Sequence, residues 1–173
     1  MKHIIALLAA ASLLHTVAFA AAPSAESLVA DAKAKASAGQ KAIFVHFGAS
    51  WCGWCKRLDA FLDRPDIKPV FEKYFVPVKL VVQENDKNKA LENPGAAALF
   101  KEYGGPDGLP YSAFLDAKGG LIVNSKRDGS NIGYPVEPAE IAHFIDMMKK
   151  ASPKMADQDV KTIEAALKSF KKP

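Results

Sequence analysis

The sequence has few cysteines: Cys52 and Cys55 are the only two among its 173 residues. A small secreted domain that depends on disulfides for its fold normally carries four or more. One bridge between residues three positions apart is too local to hold a fold together. The two cysteines therefore indicate chemistry rather than structural stabilisation.

Further absences exclude whole classes of function. The formal net charge is only +4, and no basic stripe with interleaved aromatic residues suggests a nucleic-acid partner. No glycine-rich loop of the phosphate-cradling kind is present, so no organic cofactor is expected. The chain has no internal repeat. Its length and its 49% of hydrophobic residues suit one compact domain with an appended helix.

Residues 1–20 have the composition of a signal peptide. Lys2 precedes the apolar stretch 4–14, and Ala18 and Ala20 supply the small residues of a cleavage site. An uncleaved membrane anchor is the alternative, but polar residues interrupt the stretch and it barely reaches spanning length. No cysteine follows that would carry a lipid. We expect an exported protein, soluble in a bacterial periplasm after cleavage and without stable membrane association.

Hydrophobic periodicity and turn residues predict an α/β domain over residues 24–150. The predicted elements are a helix (24–38), a buried strand (41–47), two helical pieces (52–63 and 66–74), a strand (75–82), a polar surface loop (83–94), a helix (94–103), two strands around a tight turn (111–115 and 121–125) and a helix from 138. Strands joined by a helix suit a parallel crossover, and strands joined by a tight turn are antiparallel. The result is a mixed central sheet flanked by helices.

Residues 151–173 are predicted as a C-terminal helical extension. Val160, Ile163, Leu167 and Phe170 share one apolar stripe. Such a stripe either packs on the domain or docks a partner, and packing is the commoner use.

The two cysteines lie where the buried strand ends and the next helix begins. Apolar residues 42–45 precede them, and apolar residues at helical spacing follow from Trp54 to Leu62. The first turn of a helix has unpaired N–H groups and a partial positive charge. A thiolate is favoured there, and the thiolate is the form that attacks disulfides.

At this point the sequence resembles the thioredoxin superfamily. The resemblance depends on residues 49–56 (ASWCGWCK) after a β-strand, and on residues 108–110 (GLP), roughly where the family has its cis-proline. It extends over about Ser24 to Lys150 and is strongest with exported thioredoxin-like proteins, including the domain that carries electrons into the periplasm. It implies a thioredoxin-like fold.

The resemblance assigns roles to four residues. Cys52 would be the exposed nucleophile and Cys55 the buried thiol that resolves the mixed disulfide. Pro110, if cis, would hold Leu109 extended beside the sulfurs, where its backbone can pair with a substrate strand. An ordinary turn or edge-strand proline is the alternative for Pro110.

Two tryptophans complete the predicted substrate-binding set: Trp51 precedes Cys52, and Trp54 lies between the two cysteines. Trp54 replaces the proline that is usual in reducing thioredoxins, so the direction of electron flow stays open. Trp51 either packs beside the site or contacts substrate. Lys56 and Arg57 would stabilise a thiolate and make the protein more oxidising, but only modestly if they point to solvent.

His46 stands where thioredoxins place a buried acid. A buried imidazole there can relay the proton from Cys55, because its ordinary pKa lies near neutrality. The alternative is a core histidine that is hydrogen-bonded to the backbone.

The favoured function is a thiol–disulfide oxidoreductase that exchanges electrons with exported protein thiols and an unidentified redox donor or acceptor, working as a reductase. A disulfide oxidase or isomerase is the alternative in the same class. Metal handling by the cysteine pair is another, although His46 and His143, the histidines left after signal cleavage, are separated in the predicted topology. The last alternative is a binding module with vestigial cysteines.

Overall fold

The computed structural model describes residues 22–105 and 107–169, so the predicted signal peptide and Phe170 lie outside the described residues. The helices are α1 (Ala25–Gly39), α2 (Gly53–Leu62), α3 (Lys68–Glu72), α4 (Ala96–Glu102), α5 (Pro138–Ala151) and α6 (Asp157–Ser169), with a 3₁₀ helix at Asp86–Leu91. The strands are β1 (Ala42–Gly48), β2 (Phe75–Val81), β3 (Tyr111–Leu115), β4 (Leu121–Asn124), β5 (Lys126–Arg127) and β6 (Ser130–Asn131). None of the helices in this part of the chain is long and apolar enough to cross a membrane.

Four strands form one mixed sheet in the order β2-β1-β3-β4. β1 runs parallel to β2 and antiparallel to β3, and β3 pairs antiparallel with β4. Every residue of β1 is buried, as expected for a central strand with both faces covered. The mixed sheet with flanking helices and a C-terminal helix confirms the predicted fold class.

The alternation of side chains along β1 divides the core into two layers. Phe44 packs with apolar residues of α2, α5 and α6. Val45 and Phe47 pack instead with apolar residues of α1 and α4. The cysteines of α2 therefore lie over the same face of the sheet as Phe44 and the C-terminal helices.

The stripe on α6 is part of the core. Val160, Ile163 and Leu167 are buried together with Phe144 of α5 and Phe71 of α3. The described residues of this apolar face pack on the domain.

Two segments differ from the sequence prediction. The polar segment 83–94, predicted as a surface loop, contains a 3₁₀ helix and buries Glu84 and Asn93. Asn93 is buried because its amide accepts from Val81 N at 2.7 Å and donates to Pro23 O at 2.9 Å. Its hydrogen bonds replace those that water would make.

The second difference is the short β5–β6 hairpin, whose two-residue strands are too brief to give a periodic signal.

Candidate active site

Cys52 and Cys55 form a disulfide on the first turn of α2. Cys52 is the N-cap residue, and its Sγ accepts a hydrogen bond from Cys55 N at 3.1 Å. The S–S distance is 2.04 Å and the two Cα atoms are 5.2 Å apart. Gly48, the last residue of β1, allows this approach, because a Cβ there would lie 3.1 Å from Cys55 Cβ. The glycine at the end of the strand therefore lets Cys55 pack closely without displacement.

The peptide bond between Leu109 and Pro110 is cis, and Leu109 packs against Ala49 and the two cysteines. The predicted proline loop thus lies beside the sulfurs. Cys52 is only 4% exposed in the disulfide state, less than the exposed nucleophile that the resemblance implied. Leu109 of the proline loop packs against the cluster that contains this residue.

The proline loop is supported by Asn131 of the β5–β6 hairpin, a residue that the sequence analysis missed. Its Nδ2 donates to the carbonyls of Gly108 and Pro110, both at 3.0 Å. Its Oδ1 accepts from Ser125 Oγ at 2.8 Å, which fixes the amide orientation. No sequence signal marks Asn131, because the two carbonyls that it supports lie more than twenty residues away in the chain.

Three of the four predicted substrate-binding residues line one cleft. The cleft has a volume of about 250 Å³ and is lined by Trp54, Leu109, Pro110, Ile132, Tyr134 and Val136, with two glutamates of the α5 start at its rim. Trp54 stacks on Tyr134 with ring centroids 6.0 Å apart and planes 14° apart. Its indole is therefore held in place as one wall of the cleft, while 37% of the residue stays exposed.

Trp51, the fourth predicted residue, is not among those lining this cleft. It is 55% exposed, and its Nε1 donates to Gln83 O at 2.8 Å. This hydrogen bond leaves an apolar ring at the surface next to Cys52. Such a ring suits contact with another protein.

The two basic side chains that follow Cys55, Lys56 and Arg57, lie in different surroundings. Lys56 is exposed to solvent. The Arg57 guanidinium lies 5.7 Å from the Trp54 ring centroid and 5.6 Å from that of Tyr134, in cation–π geometry with both. Arg57 therefore supports the cleft wall.

His46 lies on the α2 face of β1 and is 5% exposed. Its Nε2 is 3.0 Å from Asp59 Oδ1, and Asp59 Oδ2 is 2.5 Å from Lys79 Nζ. The His46–Asp59 contact is close but not aligned as a hydrogen bond, and no backbone group among the described residues bonds to the ring. The predicted alternative of a backbone-bonded core histidine therefore does not describe His46.

Burial lowers the pKa of His46 to about 4; Asp59 opposes this shift and Lys79 adds to it. The imidazole is thus neutral at pH 7. Asp59 follows Cys55 by four residues, one helical turn, and His46 precedes Gly48 by two, about 7 Å along the strand. Together with Lys79, the pair lines a cleft of about 320 Å³.

Glu84 is the second functional candidate that the sequence analysis missed. It is 7% exposed, and its carboxylate accepts from Ser50 N and from Ser50 Oγ, the latter at 2.7 Å. Ser50 begins the turn into Cys52. A glutamate in a polar segment gives no sequence sign of such a contact. In the part of the chain that the structure describes, no group of three His, Cys, Asp or Glu side chains is arranged to hold a metal ion.

Comparison with known proteins agrees with this geometry. Residues 24–117 match the family described as thioredoxin-like. No curated protein matches the chain. A similar solved structure is the disulphide isomerase from Xylella fastidiosa Temecula1, with 24% identity, a TM-score of 0.51 and coverage of 90% of this chain and 97% of the other.

Two further solved structures are more distant in shape. The DsbH oxidoreductase is 20% identical over 84% of this chain and 96% of its own, with a TM-score of 0.46. The oxidised C-terminal domain of Neisseria meningitidis DsbD is 24% identical over 61% of this chain and 84% of its own, with a TM-score of 0.41.

Proposed function

This chain belongs to the thioredoxin-like family, and we propose that it reduces disulfides of exported proteins through Cys52 and Cys55. Its activity is that of a thiol–disulfide oxidoreductase. The observation that carries the proposal is the cysteine pair on the first turn of α2, closed into a disulfide beside the Leu109–Pro110 loop.

The reaction transfers two electrons from the dithiol to a substrate disulfide. The Cys52 thiolate attacks one sulfur of the substrate, the substrate S–S bond breaks, and its first thiolate leaves and takes up a proton. Cys55, once deprotonated, attacks Cys52 Sγ. The mixed disulfide breaks, the second substrate thiolate leaves, and the protein holds the Cys52–Cys55 disulfide until a redox donor reduces it again.

His46 is proposed to accept the proton of Cys55 for the second step. The imidazole is neutral at pH 7, so its unprotonated nitrogen is available to the proton of Cys55. Burial lowers the pKa of His46 and makes it a weaker base, and Asp59 at 3.0 Å opposes this by stabilising the imidazolium that forms. The cleft lined by His46, Asp59 and Lys79 gives that proton a route to solvent. His46 thereby serves as a general base on β1, paired with Asp59, which lies one helical turn after the resolving cysteine.

Substrate is proposed to bind as an extended strand along the proline loop. Asn131 already donates to the carbonyls of Gly108 and Pro110, whereas among the described residues the backbone of Leu109 between them has no hydrogen-bond partner. Leu109 is thus the position at which a substrate strand can pair. The cleft beside it accepts an apolar side chain next to the substrate cysteine, against Trp54.

A reducing direction is supported by the surroundings of the thiols. Lys56 is exposed, so solvent screens its effect on a Cys52 thiolate. Arg57 is held against the rings of Trp54 and Tyr134. With little cationic stabilisation of the thiolate, the dithiol is the less favoured state and gives up electrons more readily.

The site of action is proposed to be the bacterial periplasm, on the basis of residues 1–20. The substrates are exported proteins with disulfides, and the donor that returns electrons to the chain is unidentified.

The test is insulin reduction by the chain from residue 21 onward and by two serine variants. Cys52→Ser and Cys55→Ser are both expected to lose activity to background. Only Cys55→Ser should accumulate a mixed disulfide with substrate, since Cys52 still attacks and nothing resolves the product. Activity that persists in Cys52→Ser would contradict the assignment of the nucleophile.

A further inference from the structure

Glu84 places a buried carboxylate against the turn that leads into Cys52. Both of its oxygens are occupied by one residue: Ser50 donates its backbone N–H to Oε1 and its hydroxyl to Oε2, the latter at 2.7 Å. Asn88 Nδ2 donates to the same Ser50 hydroxyl at 3.0 Å. The carboxylate thus fixes the backbone two residues before the nucleophile.

The segment that carries Glu84 is itself held to this turn. Glu84 N donates to Glu92 Oε1 at 2.8 Å, and Trp51 Nε1 donates to Gln83 O at 2.8 Å. Val82 N donates to Gly48 O at 2.9 Å, at the end of β1. Contacts on both sides of Glu84 therefore connect segment 82–92 to the turn between β1 and α2.

The Glu84 carboxylate has no cationic partner in the part of the chain that the structure describes. Among the described residues, no lysine, arginine or histidine nitrogen forms an ion pair with Glu84, and the nearby Lys89 pairs with Glu92 instead. Neutral donors alone stabilise the charge. A buried charge without a counter-ion acts on its neighbours more strongly than a solvated one, because less water screens it.

We propose that Glu84 is a positioning residue that holds the Ser50–Trp51 turn and, through its uncompensated charge, favours the thiol over the thiolate at Cys52. The inference deepens the proposed function and rests on it, since it requires Cys52 to be the nucleophile. A thiolate that is less stabilised makes the reduced protein a better electron donor.

Other charged groups lie on the elements near Cys52 and are unchanged in Glu84→Gln. They are Lys56 and Arg57 on α2, His46 and Asp59 beneath it, and Glu137 and Glu140 at the start of α5. Asp86, Lys89 and Glu92 lie on or beside the 3₁₀ helix that follows Glu84.

The experiment compares the wild type, Glu84→Gln and Asp86→Asn. Glutamine has the shape of glutamate without its charge, and Asp86→Asn removes an exposed charge from the same segment without touching Ser50. Two quantities are measured: the midpoint of the pH profile of Cys52 alkylation by iodoacetamide, and the equilibrium of the dithiol with glutathione disulfide. In that equilibrium the dithiol and one glutathione disulfide give the protein disulfide and two glutathiones.

Glu84→Gln should lower the alkylation midpoint by about half a pH unit, because the thiolate is no longer next to a buried negative charge. The glutathione equilibrium should move about two- to threefold toward the dithiol. Asp86→Asn should match the wild type in both. An unchanged midpoint in a folded Glu84→Gln protein would overturn the proposal and leave Glu84 with a structural role only.

Asn88→Lys keeps the test decisive if Glu84→Gln does not fold. It leaves the carboxylate in place and adds a cation beside Ser50, so the midpoint should again fall, and a midpoint equal to that of the wild type would overturn the proposal. Failure of the proposed function is a different result. It would show as wild-type protein that does not reduce insulin, whereas failure of this inference leaves the wild type active.

Discussion

Two ionisable sites of opposite design adjoin the elements that carry the cysteine pair, one at β1 and α2 and the other at the turn between them. On one side, His46 and Asp59 are close to each other and to Lys79, and all three line a cleft. On the other side, the Glu84 carboxylate is bound by Ser50 alone and has no cationic partner among the described residues. The first arrangement is suited to exchanging a proton with solvent. The second keeps a carboxylate and the backbone of the Ser50 turn in place.

The contrast shows that burial of an ionisable group does not define its role. A proton carrier needs a changeable charge state and access to water, and His46 has a shifted pKa and a cleft. Glu84 instead accepts hydrogen bonds at both carboxylate oxygens from Ser50, and these hold the turn before Cys52. We therefore expect the two sites to respond differently to pH and to substitution.

The largest expected effect is on the pH dependence of stability. The folded-state pKa of His46 is lowered from 6.5 to about 4, so the unfolded chain binds this proton more readily between those values. Stability is therefore lost as the pH falls through this window, by about 3 kcal/mol in total for this one group. Urea unfolding of the wild type and of His46→Gln at pH 7 and pH 4 measures it.

Carboxylates contribute to the pH dependence of unfolding in the wild type and in His46→Gln alike. Their contribution therefore cancels when the two proteins are compared. The free energy of unfolding of His46→Gln should fall less between pH 7 and pH 4 than that of the wild type. Equal pH slopes for the two proteins would show that His46 is not held neutral by burial.

A smaller effect is expected on catalysis. His46→Ala removes the proposed base for Cys55, so insulin reduction should slow by about ten- to a hundredfold. The mixed disulfide with Cys52 should accumulate, because only its resolution is impaired. Steady-state kinetics and mass spectrometry of acid-quenched samples measure the two consequences. His143→Ala, which changes the other described histidine, is the control and should keep wild-type rates.

An unchanged rate of mixed-disulfide resolution in His46→Ala would break the comparison, because neither buried site would then exchange a proton with the cysteines. A slower first attack by Cys52, with normal resolution, would also contradict the role given to His46.

The sequence was sufficient for the features that depend on local pattern. The strand before Cys52, the helix after it and the antiparallel pair from Tyr111 follow from hydrophobic periodicity, and the place of Pro110 follows from the family resemblance. These features determine the fold and the reacting atoms.

What the sequence did not reveal depends on contacts between distant segments. Glu84 meets Ser50 across 34 residues, and Asn131 meets Pro110 across 21. Neither lies in a periodic pattern, and polar residues in loops are ordinarily solvated. The pairing of His46 with Asp59 required the packing of α2 on β1, although both residues lie near the cysteines in the chain.

The most direct test of the central claim is the reduction potential of the Cys52–Cys55 pair, obtained by equilibration with glutathione of defined ratio. A reductant of exported disulfides should have a potential near that of thioredoxin, about −270 mV. A potential near that of a strong oxidant such as DsbA, about −120 mV, would contradict the account and make the chain a donor of disulfides.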